Sequence, residues 1–229
     1  MNTRSLSIAG THTLRNQRRD FSEWHRGRAP YVFWALDLDL PEVGQRVAEA
    51  TRHLDGLLLD GYRRQPHVTL ELCGFPAAVP AADDEFPPSR LENQCRVLQR
   101  ARVPAFGIEV GSLASFASAP YLAVRDDGGQ IAALRACLAS HGRYRLDGAF
   151  VPHVTVGLYA DVWPLAEVRS RLAAFEPAAP VPCRVGRVSL MSYVPGEIGG
   201  PLTCIGDFDL VRHEMRWRER LLFPGNTLP

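Results

Sequence analysis

Two segments of the chain repeat one pattern: Gln65-Pro66-His67-Val68-Thr69-Leu70 and Val151-Pro152-His153-Val154-Thr155-Val156 carry proline, histidine and threonine in register. A histidine inside an apolar stretch is ordinary once; the recurrence of the whole pattern is far less accidental. Both copies alternate, and in a strand side chains two apart share a face. The first copy groups His67, Thr69, Glu71 and Cys73 against Val68, Leu70 and Leu72, and the second groups His153, Thr155, Gly157 and Tyr159 against Val154, Val156 and Leu158. Each strand therefore buries an apolar face and presents a His-Thr pair, as two related lobes would if their polar faces met across a cleft. The proline before each histidine removes a backbone donor, which suits a strand start at a sheet edge or boundary. A cleft margin meets that restriction.

Around these strands the chain reads as a mixed succession of elements. Residues 1–28 form an irregular or partly helical arm, and residues 29–229 a single two-lobed domain. Within it, strands are expected over residues 31–38, 67–75, 106–113, 121–124, 153–159, 185–194 and 202–210, with helices over 41–54, 89–102, 130–140 and 164–175. The Asp127-Gly128-Gly129 triplet marks a turn, and residues 76–88, rich in proline, alanine and acids, form a loop placed to link the lobes. Strands and helices do not strictly alternate, which favours α+β layers with antiparallel sheets over a parallel doubly wound sheet.

Composition narrows the chemistry. The formal charge of +1 on 229 residues supplies no global field towards nucleic acid or a membrane, so any anion site is local. All 26 basic residues are arginine, which excludes a Schiff-base or P-loop lysine. The 5 cysteines are scattered with no Cys-x-x-Cys, arguing against a zinc ribbon or a disulfide framework and for a reducing, cytoplasmic setting. The N-terminal stretch around Arg4, Arg15, Arg18 and Arg19 lacks the apolar run of a signal peptide, and no segment approaches a membrane span.

Two imidazoles facing one another can divide acid and base roles, because their ordinary pKa lies close to neutrality and modest environments shift it either way. In-line attack on a phosphodiester needs that division: a base takes the proton of the nucleophile and an acid protonates the departing oxygen. The threonine hydroxyls, one step along each face, can donate to the non-bridging oxygens as charge accumulates there. No step of this scheme calls for a metal ion or cofactor.

The paired His-x-Thr strands, their spacing and the order of elements over residues 31–210 resemble the two-histidine (2H) phosphoesterase superfamily, which includes bacterial 2′,5′ RNA ligase-like proteins and 2′,3′-cyclic phosphodiesterases. The resemblance implies a bilobal α+β fold with internal duplication, two antiparallel sheets with outer helices around a central cleft. It implies catalytic roles for His67, Thr69, His153 and Thr155 and hydrolysis of a nucleoside 2′,3′-cyclic phosphate or RNA terminus; the modest net charge, which lacks the basic excess that a row of phosphate contacts needs, favours a small substrate over long nucleic acid as partner. In that superfamily the second histidine often activates water and the first serves as acid, which would make His153 the base and His67 the acid. Alternatives are a nucleotide-binding sensor with little turnover, and 2′,5′ RNA ligation. Two positions depart from the common pattern: Glu71 stands where a small or apolar residue is usual, and Tyr193 falls within a strand where the superfamily tyrosine lies between the last two.

Glu71 is open to two readings, as a substrate contact holding a ribose hydroxyl or as the partner of an arginine. Phe116 is placed to stack on a base, whereas Trp34 reads as core. Arg63, Arg64, Arg143 and Arg145 flank the motif strands and could steer a phosphate, although solvated loop arginines are commoner. His12, His25, His53, His141 and His213 have no matching partners, and the motif pair lacks the third ligand that zinc requires.

Overall fold

The computed structural model of the chain describes residues 11–139, 150–177, 179–218 and 222–223. Ser140, His141, Arg143 and Arg145 lie outside them. In chain order the elements are α1 (Ser22–His25), β1 (Tyr31–Asp37), α2 (Pro41–His53), β2 (His67–Pro76), β3 (Glu85–Phe86), α3 (Pro88–Ala101), β4 (Phe106–Ser115) and β5 (Pro120–Arg125). They continue as α4 (Gln130–Ala139), β6 (His153–Thr155), α5 (Leu165–Ala173), β7 (Val181–Val185), β8 (Arg187–Tyr193), β9 (Thr203–Asp209) and β10 (Glu214–Trp217). The uninterrupted apolar run of β1 is buried on both faces, as a central strand covered by two layers requires. Helix α2 opens with a proline at its first turn, where the missing N–H costs nothing, and turns Val43 and Ala50 inward.

The strands form a six-stranded sheet in the order β10-β9-β8-β1-β2-β3 and a four-stranded sheet in the order β6-β5-β4-β7. Every pairing is antiparallel except the short β2–β3 contact. The run β9-β8-β1-β2 of the first sheet is matched by β7-β4-β5-β6 of the second, and both contain a strand-helix-strand unit, β1-α2-β2 and β5-α4-β6, that ends on a motif strand. This is the bilobal α+β duplication expected from the repeat.

One continuous apolar core joins the lobes, running from Trp34, Leu36, Val68 and Leu70 to Ile108, Leu122 and Val154, with Leu91, Leu98 and Leu134 from the helices. A smaller cluster of Phe33, Ala35, Met191 and Leu202 lies on the opposite face of the six-stranded sheet, with Leu72 and Tyr193 against it. His67 lies on that second face, against Phe33. Helices α3 and α4 meet behind β2, where Gln94 accepts from the Trp34 indole at 2.9 Å and donates to the Leu138 carbonyl at 3.4 Å.

Three expectations change. Residues 76–88 do not bridge the lobes: Glu85–Phe86 pair in parallel with the end of β2, and the Phe75 amide donates to the Asp84 carbonyl at 2.9 Å. Gly74, at φ +115°, lets the two backbones approach, since a Cβ there would run into Asp84. The second motif strand stops at Thr155 instead of 159, although Val156 and Tyr159 still bond to the Pro120 and Ser118 carbonyls. The strand expected over 185–194 is divided at Gly186: Val185 ends β7 of the four-stranded sheet, and β8 of the six-stranded sheet begins at Arg187. Strand β10, beyond the last expected strand, is an edge strand with Glu214 and Arg216 exposed and Met215 and Trp217 half-buried against the core.

Residues 11–28 of the arm are docked on both lobes. Thr13 and Asn16 donate to the Trp163 and Tyr159 carbonyls at 2.9 Å, Trp24 packs on Tyr31 and Phe75, and Arg28 pairs with Asp84 at 2.7 Å. Among the described residues no helix is long and apolar enough to cross a membrane.

Candidate active site

Strands β2 and β6, which belong to different sheets, approach one another where the two sheets meet, and this brings the two Pro-His-Val-Thr segments together. The same local bond orients each histidine. His67 Nδ1 stands 2.7 Å from the Gln65 carbonyl, and His153 Nδ1 stands 2.7 Å from the Val151 carbonyl, in both cases across the intervening proline. A carbonyl can only accept, so each Nδ1 carries the hydrogen and each Nε2 is left with its lone pair. The duplication thus extends to tautomer.

Aromatic walls hold the rings. Phe33 lies 5.6 Å from His67, while Phe116 and Tyr121 approach His153 edge-on at 4.8 and 5.3 Å and stack on each other at 4.3 Å. Burial dominates the electrostatics by penalising the charged ring. It pushes His67 down to about 4; the Gln65 bond opposes this, the charge of Arg64 and the His153 ring add to it, and Asp37 again opposes. Burial also lowers His153, against the bond to Val151. Both imidazoles are therefore neutral in the free cleft near pH 7. Thr69 and Thr155 are half-buried and sit opposite Ala35 and Tyr121 in their sheets.

Glu71 does not share their face. Along the β1–β2 ladder Ala35 is opposite Thr69 but Trp34 is opposite Glu71, so Leu70 is an extra residue and the alternation flips beyond it. Cross-strand partners share a face, and Trp34 belongs to the helix-covered core. Glu71 is accordingly buried there and paired with Arg90 of α3 at 3.3 Å, while Arg135 of α4 donates to the carbonyl of the extra residue, Leu70. Of the two readings of Glu71, the structure has the arginine partner. Leu72, on the other hand, returns to the side of Phe33.

Phe116 stands beside His153, and Trp34 is fully buried. Three further residues gather here: Tyr62, which the sequence did not single out, Arg64, one of the four arginines flanking the motif strands, and Tyr193, noted only as a departure from the superfamily pattern. Tyr62, in the segment leading to β2, comes close to Thr155 of the other lobe, and burial raises its pKa against the opposing influence of Arg64 and Thr155. Tyr193, at the end of β8, lies 5.9 Å from Phe33, and the Arg64 guanidinium sits 4.4 Å above the Tyr193 ring. Their spacing from the histidines carries no periodicity; only the extended course of residues 62–66 hints that Tyr62 and Arg64 share a side. Among the described residues no cluster of three His, Cys, Asp or Glu side chains is grouped to hold a metal ion.

The family sequence profile described as the 2′-5′ RNA ligase superfamily matches residues 40–197, well over half of the chain. The chain belongs to this superfamily. No curated protein gives a significant match. Among solved structures, E. coli LigT complexed with 3′-AMP aligns at TM-score 0.52 and 18% identity, covering 79% of this chain and 98% of LigT. The apo form of LigT aligns at TM-score 0.52 and 17% identity, covering 80% and 98%. TT0787 of Thermus thermophilus aligns at TM-score 0.48 and 18% identity over 79% of this chain and 97% of its own. The likeness to LigT is one of fold, and this superfamily member shares the paired-sheet architecture of that protein. The matched span includes both Pro-His-Val-Thr segments and ends before β9 and β10, while the docked arm precedes it.

Proposed function

We propose that this superfamily member is a phosphoesterase that opens a small cyclic phosphate, a nucleoside 2′,3′-cyclic phosphate or the cyclic end of an RNA, by paired-histidine acid/base catalysis. The observation that carries this reading is the identical Nδ1-to-carbonyl bond at His67 and His153, which leaves two outward Nε2 atoms of the same tautomer from the two lobes. Hydrolysis requires a water oxygen to bond to phosphorus, its proton to pass to one Nε2, and the ester oxygen to leave with a proton from the other. Thr69 and Thr155 donate to the non-bridging oxygens. Phe116 offers a face for the base, and the 3′-AMP held by LigT supports a ligand of nucleotide size.

The bound phosphate's negative charge raises the proton affinity of both rings, and the less buried one takes up the proton first. His67 is buried and driven to about 4, whereas His153 is only half-buried. On this reading His67 stays neutral as the base and His153 becomes the acid, the reverse of the order that the superfamily resemblance implies. The test is hydrolysis of 2′,3′-cyclic nucleotides in a chelator by the wild type and by His67→Ala and His153→Ala. Turnover that survives the chelator and falls about 10²–10⁴-fold in either variant supports the proposal; turnover that disappears with chelation, or persists in both variants, ends it.

A further inference from the structure

The extended segment 62–66 before β2 divides its side chains between two tasks. Arg63 and Gln65 fasten it to the loop after β8: the Arg63 amide donates to the Gly199 carbonyl at 2.8 Å, its side chain pairs with Glu197, and Gln65 bonds twice with Leu202, at 3.1 and 2.7 Å. Tyr62 and Arg64 also lie against that loop, at Gly199 and Gly200, but extend beyond it, Tyr62 towards Thr155 and Arg64 onto Tyr193. The Arg64 guanidinium lies over the tyrosine, 4.4 Å from its centroid, and its Nε is 3.5 Å from the Gly200 carbonyl. Among the described residues it makes no ion pair. Its neighbours differ: Arg63 is engaged by Glu197, and Arg187, the arginine near the other side of His67, is held by Asp37 at 2.7 Å.

With both histidines neutral, Arg64 is the uncompensated cation of the cleft among the described residues, since Asp37, the carboxylate felt by His67, is committed to Arg187. The charge of Arg64 is felt by His67, Tyr62 and Tyr193 together, which locates the guanidinium among the site residues of both lobes. A planar guanidinium with a free outer edge matches two oxygens of a phosphate, a geometry an ammonium does not supply.

We propose that Arg64 is the phosphate-binding residue of this cleft, its outer edge taking the non-bridging oxygens of a nucleotide phosphoester while Tyr193 holds the guanidinium in place as a positioning residue. The inference rests on the phosphoester reading above and assigns the ligand's anchor. Titration with 3′-AMP and hydrolysis of 2′,3′-cyclic AMP by wild type, Arg64→Gln, Arg64→Lys, Tyr193→Phe and Tyr193→Ala test it. Arg64→Gln is expected to weaken 3′-AMP binding and to lower kcat/KM by roughly 10–100-fold each, with an unchanged thermal midpoint. Arg64→Lys recovers only part of both, because it restores charge without the fork. Tyr193→Phe keeps the platform and stays near wild type, whereas Tyr193→Ala loses affinity by about tenfold.

Wild-type turnover together with Arg64→Gln binding and kcat/KM within about threefold of wild type overturns the assignment and leaves the hydrolase reading standing. Arg64-dependent binding of 3′-AMP without hydrolysis of any cyclic nucleotide leaves the assignment standing and removes the hydrolase. A wild type that neither binds nor hydrolyses overturns both.

Discussion

Arg90 and Glu71 form an ion pair at 3.3 Å in the interior behind the first motif strand, with their side chains 13% and 6% exposed. Burial raises the Glu71 pKa against the pull of Arg90 and Arg135, so the carboxylate is retained there at a desolvation cost. Removing one partner strands the other charge. Glu71→Ala is expected to lower unfolding stability by about 3 kcal/mol in a denaturant titration while leaving the KM for a cyclic nucleotide unchanged. A raised KM at unchanged stability would return Glu71 to the cleft.

The two histidines also set the pH response. The kcat/KM profile follows the free protein, and a coupled pair titrates with apparent values that belong to both rings. With His67 near 4 and His153 below its ordinary 6.5, the form with neutral His67 and protonated His153 is populated on the acid side. The profile of kcat/KM against pH is therefore expected to be bell-shaped with its maximum between about 4 and 6.5. His67→Ala should remove the acid limb and His153→Ala the alkaline one; the opposite assignment of limbs would restore the order implied by the superfamily resemblance.

The same burial makes the fold sensitive to acid. His67 ionises near 4 when folded and near 6.5 when unfolded, so between those values the unfolded chain binds the extra proton. The contribution is fully present above pH 6.5 and is lost as the pH falls towards 4. A shift of this size corresponds to roughly 3 kcal/mol. Unfolding free energy measured across that window should fall more steeply in wild type than in His67→Gln; equal slopes would show that His67 is not the group responsible.

Phe116 stacks on Tyr121 at 4.3 Å and meets the edge of His153 at 4.8 Å, so its loss acts on substrate packing and on ring orientation together. Phe116→Ala is expected to raise KM by about tenfold or more, consistent with a stacking contribution of roughly 1–3 kcal/mol per base. Phe116→Tyr should keep the value near wild type. Steady-state kinetics with a cyclic nucleotide decide it; an unaltered KM in the alanine variant would place the base elsewhere.

The features legible in the amino-acid sequence are those in which a short segment carries its own pattern. The apolar run of β1, the proline-initiated α2 and the doubled Pro-His-Val-Thr strands all fall where their residues indicate, because burial periodicity and backbone chemistry act locally. The same rule misplaces Glu71. Alternation counts residues, and the extra Leu70 reverses the count without leaving a glycine or proline to mark it. The switch of sheets at Gly186 and the pairing of Glu85–Phe86 with β2 depend on which distant strand is available, and so do Tyr62 and Tyr193, brought to the cleft by the loops they fasten or terminate. The paired histidines are readable from repetition, whereas picking Arg64 out of the four flanking arginines, and placing it over Tyr193, requires the packed lobes.

The proposed hydrolysis requires Nε2 of His67 and Nε2 of His153 to act on one phosphorus. Hydrolysis of 2′,3′-cyclic AMP in EDTA, followed by phosphorus NMR for the wild type, the two single alanine variants and the double variant, tests it most directly. The expected result is a phosphomonoester product from the wild type, losses of about 10²–10⁴-fold in each single variant, and a double variant little worse than either, as for residues that act as a unit. Single variants whose losses simply multiply in the double variant, or a wild type inert towards the cyclic ester, would contradict it.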